Sequence, residues 1–337
     1  MDTEGVCLDS QRLFEHIGQR GEIIERGMRS DMAAAVEGDD PLLAEVLEYA
    51  VFGGGKRIRP LLVMLAAELC GSRDDRVVRL AIAFEYLHVA TLVHDDVIDH
   101  ARERRGRLSV TQKFGPTAAI LAGDWLHARS MKLVGRYGGG AALDVFSGTT
   151  AAMVDGEFRQ LRHLGDPRVT EEIYFQVIDK KTAALIGAAC ETGALFAGVT
   201  GRRRQALQRY GTYLGRAFQI IDDLLDYEGE REKTGKKIGN DYVEGKITLP
   251  LLLTLRAASA ADRQALEALI TGERRLEQLE RVRELVFRYD GFGVARQRAE
   301  ELIHRAVEGL RLFSAAENSV NRAILVSLAH YVLERDH

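Results

Sequence analysis

The sequence predicts a nearly all-α protein, and three observations carry that prediction. Apolar residues recur at three- and four-residue spacing along most of the chain, no alternating apolar–polar run of useful length appears, and several of the few prolines stand where helices begin. Residues 1–40 read as an N-terminal helical extension packed on the main body. Pro41 opens a helix carrying Leu42, Val46 and Tyr49, which the glycines Gly53-Gly54-Gly55 end. Pro60 marks the next start, followed by a long apolar helix with Ala83, Leu87, Ala90 and His94 on one face. Further breaks fall at Arg102 to Arg107, Gly138-Gly139-Gly140, Leu164 to Pro167, Glu228 to Gly245 and Thr271-Gly272, with a helix start at Pro116. Near the end, Ile303, Val307, Leu310 and Phe313 repeat the helical spacing. Neither an interdomain linker nor a repeat is visible, so a single large helical domain over 1–337 is expected. Several helices are apolar around most of their circumference, which predicts buried, central positions.

The chain has 337 residues with 46 basic against 50 acidic, a net charge of -4. That length supports a sizeable core. The slightly acidic balance argues against a nucleic-acid binder driven by bulk charge. Cys7, Cys70 and Cys190 are too few and too scattered for a disulfide framework or a zinc cage. No signal segment is expected beside Asp2 and Glu4, and uninterrupted apolar runs such as Leu249 to Leu253 are far shorter than the roughly 18 residues of a spanning helix. The expectation is a cytoplasmic protein without stable membrane insertion.

Two Asp-Asp-x-x-Asp runs carry the chemistry: Asp95, Asp96 and Asp99, then Asp222, Asp223 and Asp226. With 22 Asp in the chain, chance would produce only about 0.1 such runs. Positions i and i+4 share a helix face, so Asp95 pairs with Asp99 and Asp222 with Asp226. Carboxylates one turn apart beside apolar surface repel each other unless a cation binds there. Hard oxygen donors without clustered Cys or His favour magnesium, which keeps waters and bridges to phosphates. The acids therefore predict a phosphorylated ligand, and cations stand ready for one. Gly53-Gly54-Gly55-Lys56-Arg57-Ile58-Arg59-Pro60 delivers three of them before a helix, in a spacing that is not a P-loop. Arg104-Arg105-Gly106 follows the first acidic run, Lys181-Thr182 interrupts an apolar segment, and Lys237 and Lys246 flank the glycine-rich loop after the second.

Together these residues resemble the trans-isoprenyl diphosphate synthases of the polyprenyl synthetase family, from about Leu42 to the C-terminus. The resemblance implies a bundle of long helices around a deep central cavity, the isoprenoid synthase fold, usually as a homodimer, with the aspartate motifs facing each other across the cavity mouth. It implies that Asp95, Asp96, Asp99, Asp222, Asp223 and Asp226 hold three magnesium ions on an allylic diphosphate that Arg104, Lys181 and Lys237 also contact. Lys56, Arg59 and Arg105 would hold isopentenyl diphosphate. His88 matches the third isopentenyl position, and it lies about two turns before Asp95 on the same face. Gln219 and Thr182 match polar positions near the reacting carbon, and Lys246 a further position near the metals. No dedicated base stands beside the motifs, so the released diphosphate is expected to take the proton, and the loop Glu228 to Gly245 to exclude water.

Product length is read four and five residues before Asp95, where Thr91 and Ala90 are small. Synthases that stop at fifteen carbons place bulky aromatics there, and no two-residue insertion splits the first motif. The stretch Arg298 to His337 likewise resembles long-chain synthases, so a tail of about seven to ten isoprene units, as in quinone side chains, is expected by analogy. Trp125, Leu126 and Met131 are candidates for the cavity floor and equally for plain core. The alternatives are a farnesyl or geranylgeranyl synthase, a class I terpene cyclase, whose second motif is normally of the Asn/Ser/Glu kind, and a non-catalytic subunit, in which site residues would be lost.

Overall fold

The computed structural model describes residues 7–228, 239–313 and 319–335. Helix dominates, as the periodicity requires. Among the described residues the only strands form a two-residue antiparallel ladder, Glu103–Arg104 on Arg107–Leu108, within the predicted break at 102–107.

By its internal contacts the chain divides into two compact units. The first comprises Met1–Gly148, Ala188–Gln208 and Leu312–Leu325. Here α1 (Ser10–Ala35) is capped by the Asp9 carboxylate, and it packs on α3 (Ile58–Leu69) and α4 (Val77–Ile98) through Ile24 and Met28, both fully buried. Helix α2 (Pro41–Val51) starts with Pro41 behind the Asp40 cap and lies on α4, as does α5 (Val110–Phe114), capped by Ser109. Helix α4 is the axis of this unit. Its residues Leu80 to Leu87 are all buried, with Phe84 edge-on to Phe146 at 5.1 Å. By length and composition α4 could cross a membrane, which the uninterrupted runs did not reveal because Glu85 and His88 divide it; 67% of its most apolar window is buried inside the protein.

Next comes α6 (Pro116–Arg162), whose first part belongs to the first unit. The expected break at Gly138–Gly140 is a kink within it: Gly139 has φ 74° and ψ -175°, a backbone that glycine alone adopts readily. Leu126, offered both to the cavity floor and to the core, is fully buried, while Trp125 and Met131 are half-buried.

The second unit comprises Thr149–Gly187, Arg209–Arg311 and Val326–His337. Helix α7 (Glu171–Ile178), capped by Thr170, runs into a π turn at Asp179–Ala183 and on into α8 (Ala184–Phe196). The long α9 (Gly201–Glu228) enters this unit at Arg209. A short α10 (Asn240–Val243) precedes α11 (Leu249–Ala257), which packs on α14 (Gly291–Gly309), α13 (Arg275–Arg288) and α12 (Ala260–Thr271). The C-terminal part of α15 (Ser319–Leu333) completes the unit.

Close helix contact in this unit depends on glycine. A Cβ at Gly211 would meet the Ile186 carbonyl oxygen at 2.5 Å and Gly187 Cα at 2.8 Å, both rigid backbone. Gly211→Ala is therefore expected to destabilise the protein by about 1–3 kcal/mol. Gly148→Ala, in a helical position with nothing within 4 Å, should be neutral or stabilising by up to about 1 kcal/mol. Urea unfolding of the two variants checks the contrast.

Candidate active site

The first acidic motif ends α4. Asp95 is half-buried, Asp99 is exposed as the helix C-cap, and the Asp99 N–H donates to the Asp95 carbonyl at 2.8 Å. Asp96 turns inward and is only 1% exposed. So deep a carboxylate needs a donor, and the ladder supplies Arg104, whose Nε and Nη2 lie 2.7 and 2.6 Å from Asp96 Oδ1. One predicted metal ligand and one predicted diphosphate contact thus form an ion pair.

The same ladder is fastened to α2. The Arg107 guanidinium stacks 4.0 Å from the Tyr49 ring, and the Tyr49 hydroxyl donates to the Leu108 carbonyl at 2.8 Å. Arg105, in a left-handed conformation with φ 54°, reaches the Gly54 carbonyl. Gly55 has φ 133°, and a Cβ there would stand 2.7 Å from Arg105 Nη1, so glycine is needed both for its backbone and for the space.

Arg57, one of the three loop cations, does a different job from its neighbours. It is 8% exposed, donates to Glu85 Oε1 at 2.8 Å and to the Val51 carbonyl at 2.8 Å, and so pins the glycine loop to α4. Lys56 stays exposed. Arg59 has a buried Nε without a hydrogen-bond partner, and burial lowers its guanidinium to about 10, with Glu85 opposing and Arg105 adding to the shift. His88 faces the same charges. Burial, then Arg59, Arg105, Arg104 and Arg57, hold its imidazole well below the usual 6.5. The structure thus gathers Arg59, His88 and Arg105 beside the Gly53–Lys56 loop, as an anion site requires. Ala90 is buried, and the Thr91 hydroxyl donates back to the His88 carbonyl at 2.8 Å, turning its polar group away.

The second motif lies in the other unit, near the end of α9. Asp222 is exposed, whereas Asp223 is 2% exposed and accepts from Tyr174 Oη at 2.6 Å and Gln219 Nε2 at 2.9 Å. Thr182 Oγ1 donates to Gln219 Oε1 at 2.8 Å, which joins the π turn to the motif. Burial, and then Asp241, push the Asp223 carboxyl well above the ordinary range, with Tyr174 and Gln219 opposing. Asp226 accepts the N–H groups of Asn240 at 3.2 Å and Asp241 at 3.0 Å, and burial followed by Asp241 pushes it up to about 7. Lys246 sits 3.1 Å from Asp241 and 2.6 Å from Glu244. Lys181 pairs with Glu157 at 2.5 Å, where Gly156 lets α6 approach its backbone. Lys237 lies outside the described residues, as do positions 229–238 of the loop Glu228 to Gly245.

Each unit therefore assembles its own share of the predicted residues. Asp95, Asp96, Asp99, Lys56, Arg59, His88, Arg104 and Arg105 lie in the first; Lys181, Thr182, Gln219, Asp222, Asp223, Asp226 and Lys246 lie in the second. The residues not anticipated are Glu85, Tyr174, Glu157 and Asp241. Only Glu85 had a signal, as an isolated acid within an apolar helix. Among the described residues no group of three Cys, His, Asp or Glu converges as a ready metal cage. The donor set nevertheless fits magnesium: hard carboxylates on helix ends are its usual protein ligands, and one or two suffice when waters and phosphate oxygens complete the shell.

The His88 shift has a consequence for stability. The folded state holds the imidazole neutral, so below pH 6.5 the unfolded chain takes up the proton first, and stability falls as pH falls. His88→Gln removes this contribution. Urea melts between pH 7.5 and 5.5 should show the wild type losing up to about 1.4 kcal/mol more per pH unit below 6.5 than the variant; parallel curves would contradict the neutral assignment.

The polyprenyl synthetase family model matches residues 40–287. The octaprenyl diphosphate synthase of Escherichia coli is 37% identical over 310 residues, covering 92% of this chain and 95% of that one. A decaprenyl diphosphate synthase from Rhodobacter capsulatus superposes with a TM-score of 0.87 at 34% identity over 97% of this chain and 99% of that one. A polyprenyl synthase from Caulobacter crescentus, complexed with calcium and isoprenyl diphosphate, gives 0.88 at 33% identity over 97% and 98%. The all-α architecture is that of isoprenoid synthases. With the family model matching most of its length, the chain belongs to the polyprenyl synthetase family.

Proposed function

We propose that this chain is a magnesium-dependent prenyltransferase. It joins isopentenyl diphosphate head-to-tail, in trans, to an allylic diphosphate and builds a long-chain polyprenyl diphosphate for a quinone side chain. The observation that carries the reading is the construction around α4. Its acidic end offers Asp95, Asp96 and Asp99, and about two turns earlier its His88 faces Arg59 and Arg105 from neighbouring elements, so carboxylates suited to a metal and cations suited to an anion lie along one helix. Family membership supports the same chemistry, and the octaprenyl and decaprenyl relatives support the long product.

In this reading Arg59, Arg105 and Lys56 hold the diphosphate of isopentenyl diphosphate, with His88 as a neutral hydrogen-bond donor. Arg104, Lys181 and Lys237 bind the allylic diphosphate, with Lys246 near its metals. Asp95, Asp96, Asp99, Asp222, Asp223 and Asp226 would hold magnesium, three ions in all, which when bound would neutralise the charge of the departing diphosphate. Thr182 and Gln219 present oxygen dipoles towards the allylic carbon as it becomes cationic. The isopentenyl double bond attacks that carbon, and the released diphosphate removes the proton from the adduct. Small Ala90 and Thr91 leave the growing chain unobstructed. We further propose one catalytic domain, a homodimer and a cytoplasmic location, reasoned from the family and from a matched stretch that draws on both units.

Incubating the protein with farnesyl diphosphate, labelled isopentenyl diphosphate and magnesium, and sizing the product by chromatography, tests this directly. A diphosphate ester of about seven to ten isoprene units is expected, with turnover abolished by a chelator. A product of fifteen or twenty carbons would overturn the long-chain assignment, and a free hydrocarbon the synthase assignment.

Ala90 provides the test of the floor. Because it is 2% exposed on the face read as the floor, Ala90→Phe is expected to shorten the dominant product. Unchanged length in a folded variant would show that the chain grows elsewhere.

A further inference from the structure

The second aspartate motif contains a carboxylate that is held at both of its oxygens. Asp223 is buried, and each of its oxygens already accepts a hydrogen bond, Oδ1 from Gln219 and Oδ2 from Tyr174. Gln219 accepts in turn from Thr182. The bonds form one line, Thr182 to Gln219 to Asp223 to Tyr174, which begins in the π turn and ends on α7 eight residues earlier. Lys181 lies between those two anchors in the chain. Tyr174 is 5% exposed, its ring edge-on to Phe175 at 5.4 Å, so its hydroxyl has a fixed direction. Moreover, α9 is free to approach the π turn, since a Cβ at Gly215 would meet Ala183 Cα at 2.7 Å.

From this geometry we infer that Tyr174 is a positioning residue for the second metal-binding motif. By fixing Asp223 from the side opposite Gln219, it sets the rotation of α9 about its axis, and with it the direction in which Asp222 and Asp226 present their carboxylates. Lys181 is held in register with them because the segment carrying it is tied to Asp223 directly at Tyr174 and through Gln219 at Thr182. Removing the hydroxyl would leave Asp223 Oδ2 buried and unpaired, a state that relaxes by moving the side chain. Groups that orient metal ligands in this way typically change metal affinity by about 10–100-fold when lost.

The inference rests on the proposed metal-dependent reading, and its test separates the two. Tyr174→Phe keeps the ring and its packing. Binding of Mn2+ in the presence of inorganic diphosphate, followed by the loss of free-ion paramagnetic resonance signal, needs no turnover. The wild type should bind Mn2+ with diphosphate, and Tyr174→Phe at least about 10-fold more weakly. In the assay the variant should raise the half-saturating magnesium and the KM for the allylic substrate, while the KM for isopentenyl diphosphate stays within about twofold. In the background Asp223→Asn, Tyr174→Phe should have almost no additional effect, because its action passes through that carboxylate. Equal Mn2+ affinity in wild type and Tyr174→Phe would overturn the inference, as would full additivity with Asp223→Asn. A wild type that binds no Mn2+ with diphosphate and makes no prenyl diphosphate would overturn the functional reading itself.

Discussion

A buried carboxylate near the C-terminal end of a helix is the constraint that each unit has to meet. Asp96 and Asp223 are each almost wholly removed from water, and a bare buried charge costs several kcal/mol. Each therefore needs hydrogen-bond donors delivered from another element. The first unit answers with a guanidinium: the ladder at 103–108 is clamped on α2 by Tyr49 and Arg107 so that Arg104 can reach Asp96. The second answers with neutral donors, Tyr174 and Gln219. These different answers give the two motifs different electrostatics. Arg104 places a full positive charge beside Asp96, whereas the neutral donors only partly offset the burial that pushes the Asp223 carboxyl up.

Positive charge is organised by the same logic. Arg57 and Glu85 form a buried pair, and such a pair contributes more to holding a particular geometry than to net stability. Its effect is local: the glycine loop is tied to α4, so Arg59 emerges beside His88. The cost of crowding cations then falls on the buried members of the cluster. Arg59 and His88 are both shifted toward their uncharged forms, a state that a bound diphosphate would relieve. A near-neutral sequence total can therefore contain an anion site, since cations and acids are sorted in space while they cancel in the sum.

Most of the helical architecture was legible in the sequence because it depends on local signals. Pro41 and Pro116 begin helices, and the Gly138–Gly140 break appears as the kink at Gly139. The two aspartate runs were legible for a different reason: repeated acids beside apolar helix surface have few uses other than holding a cation. What could not be read are the partners. Tyr174 lies 49 positions from Asp223, and Arg57 lies 28 from Glu85, so nothing in either neighbourhood reveals the pairing. The π turn was hidden as well, because the sequence around Lys181 is compatible with an ordinary helix and only the packing at Gly156 and Gly215 shows what holds the wider turn in place.

Lys181 and Thr182 serve different ends from adjacent positions of the π turn. In a regular helix neighbours are rotated by about 100° and are committed to separate faces. The wider turn redistributes those directions, so that Lys181 reaches Glu157 on α6 while Thr182 reaches Gln219 on α9. Glu157 offsets the lysine charge where no ligand is bound, and Thr182 transmits the position of α9 to the turn. Two adjacent side chains of the π turn thus reach two different helices, one through an ion pair and one through a hydrogen bond. A similar division is seen at the start of α3, where Arg57 holds the backbone while the buried Nε of nearby Arg59 has no hydrogen-bond partner.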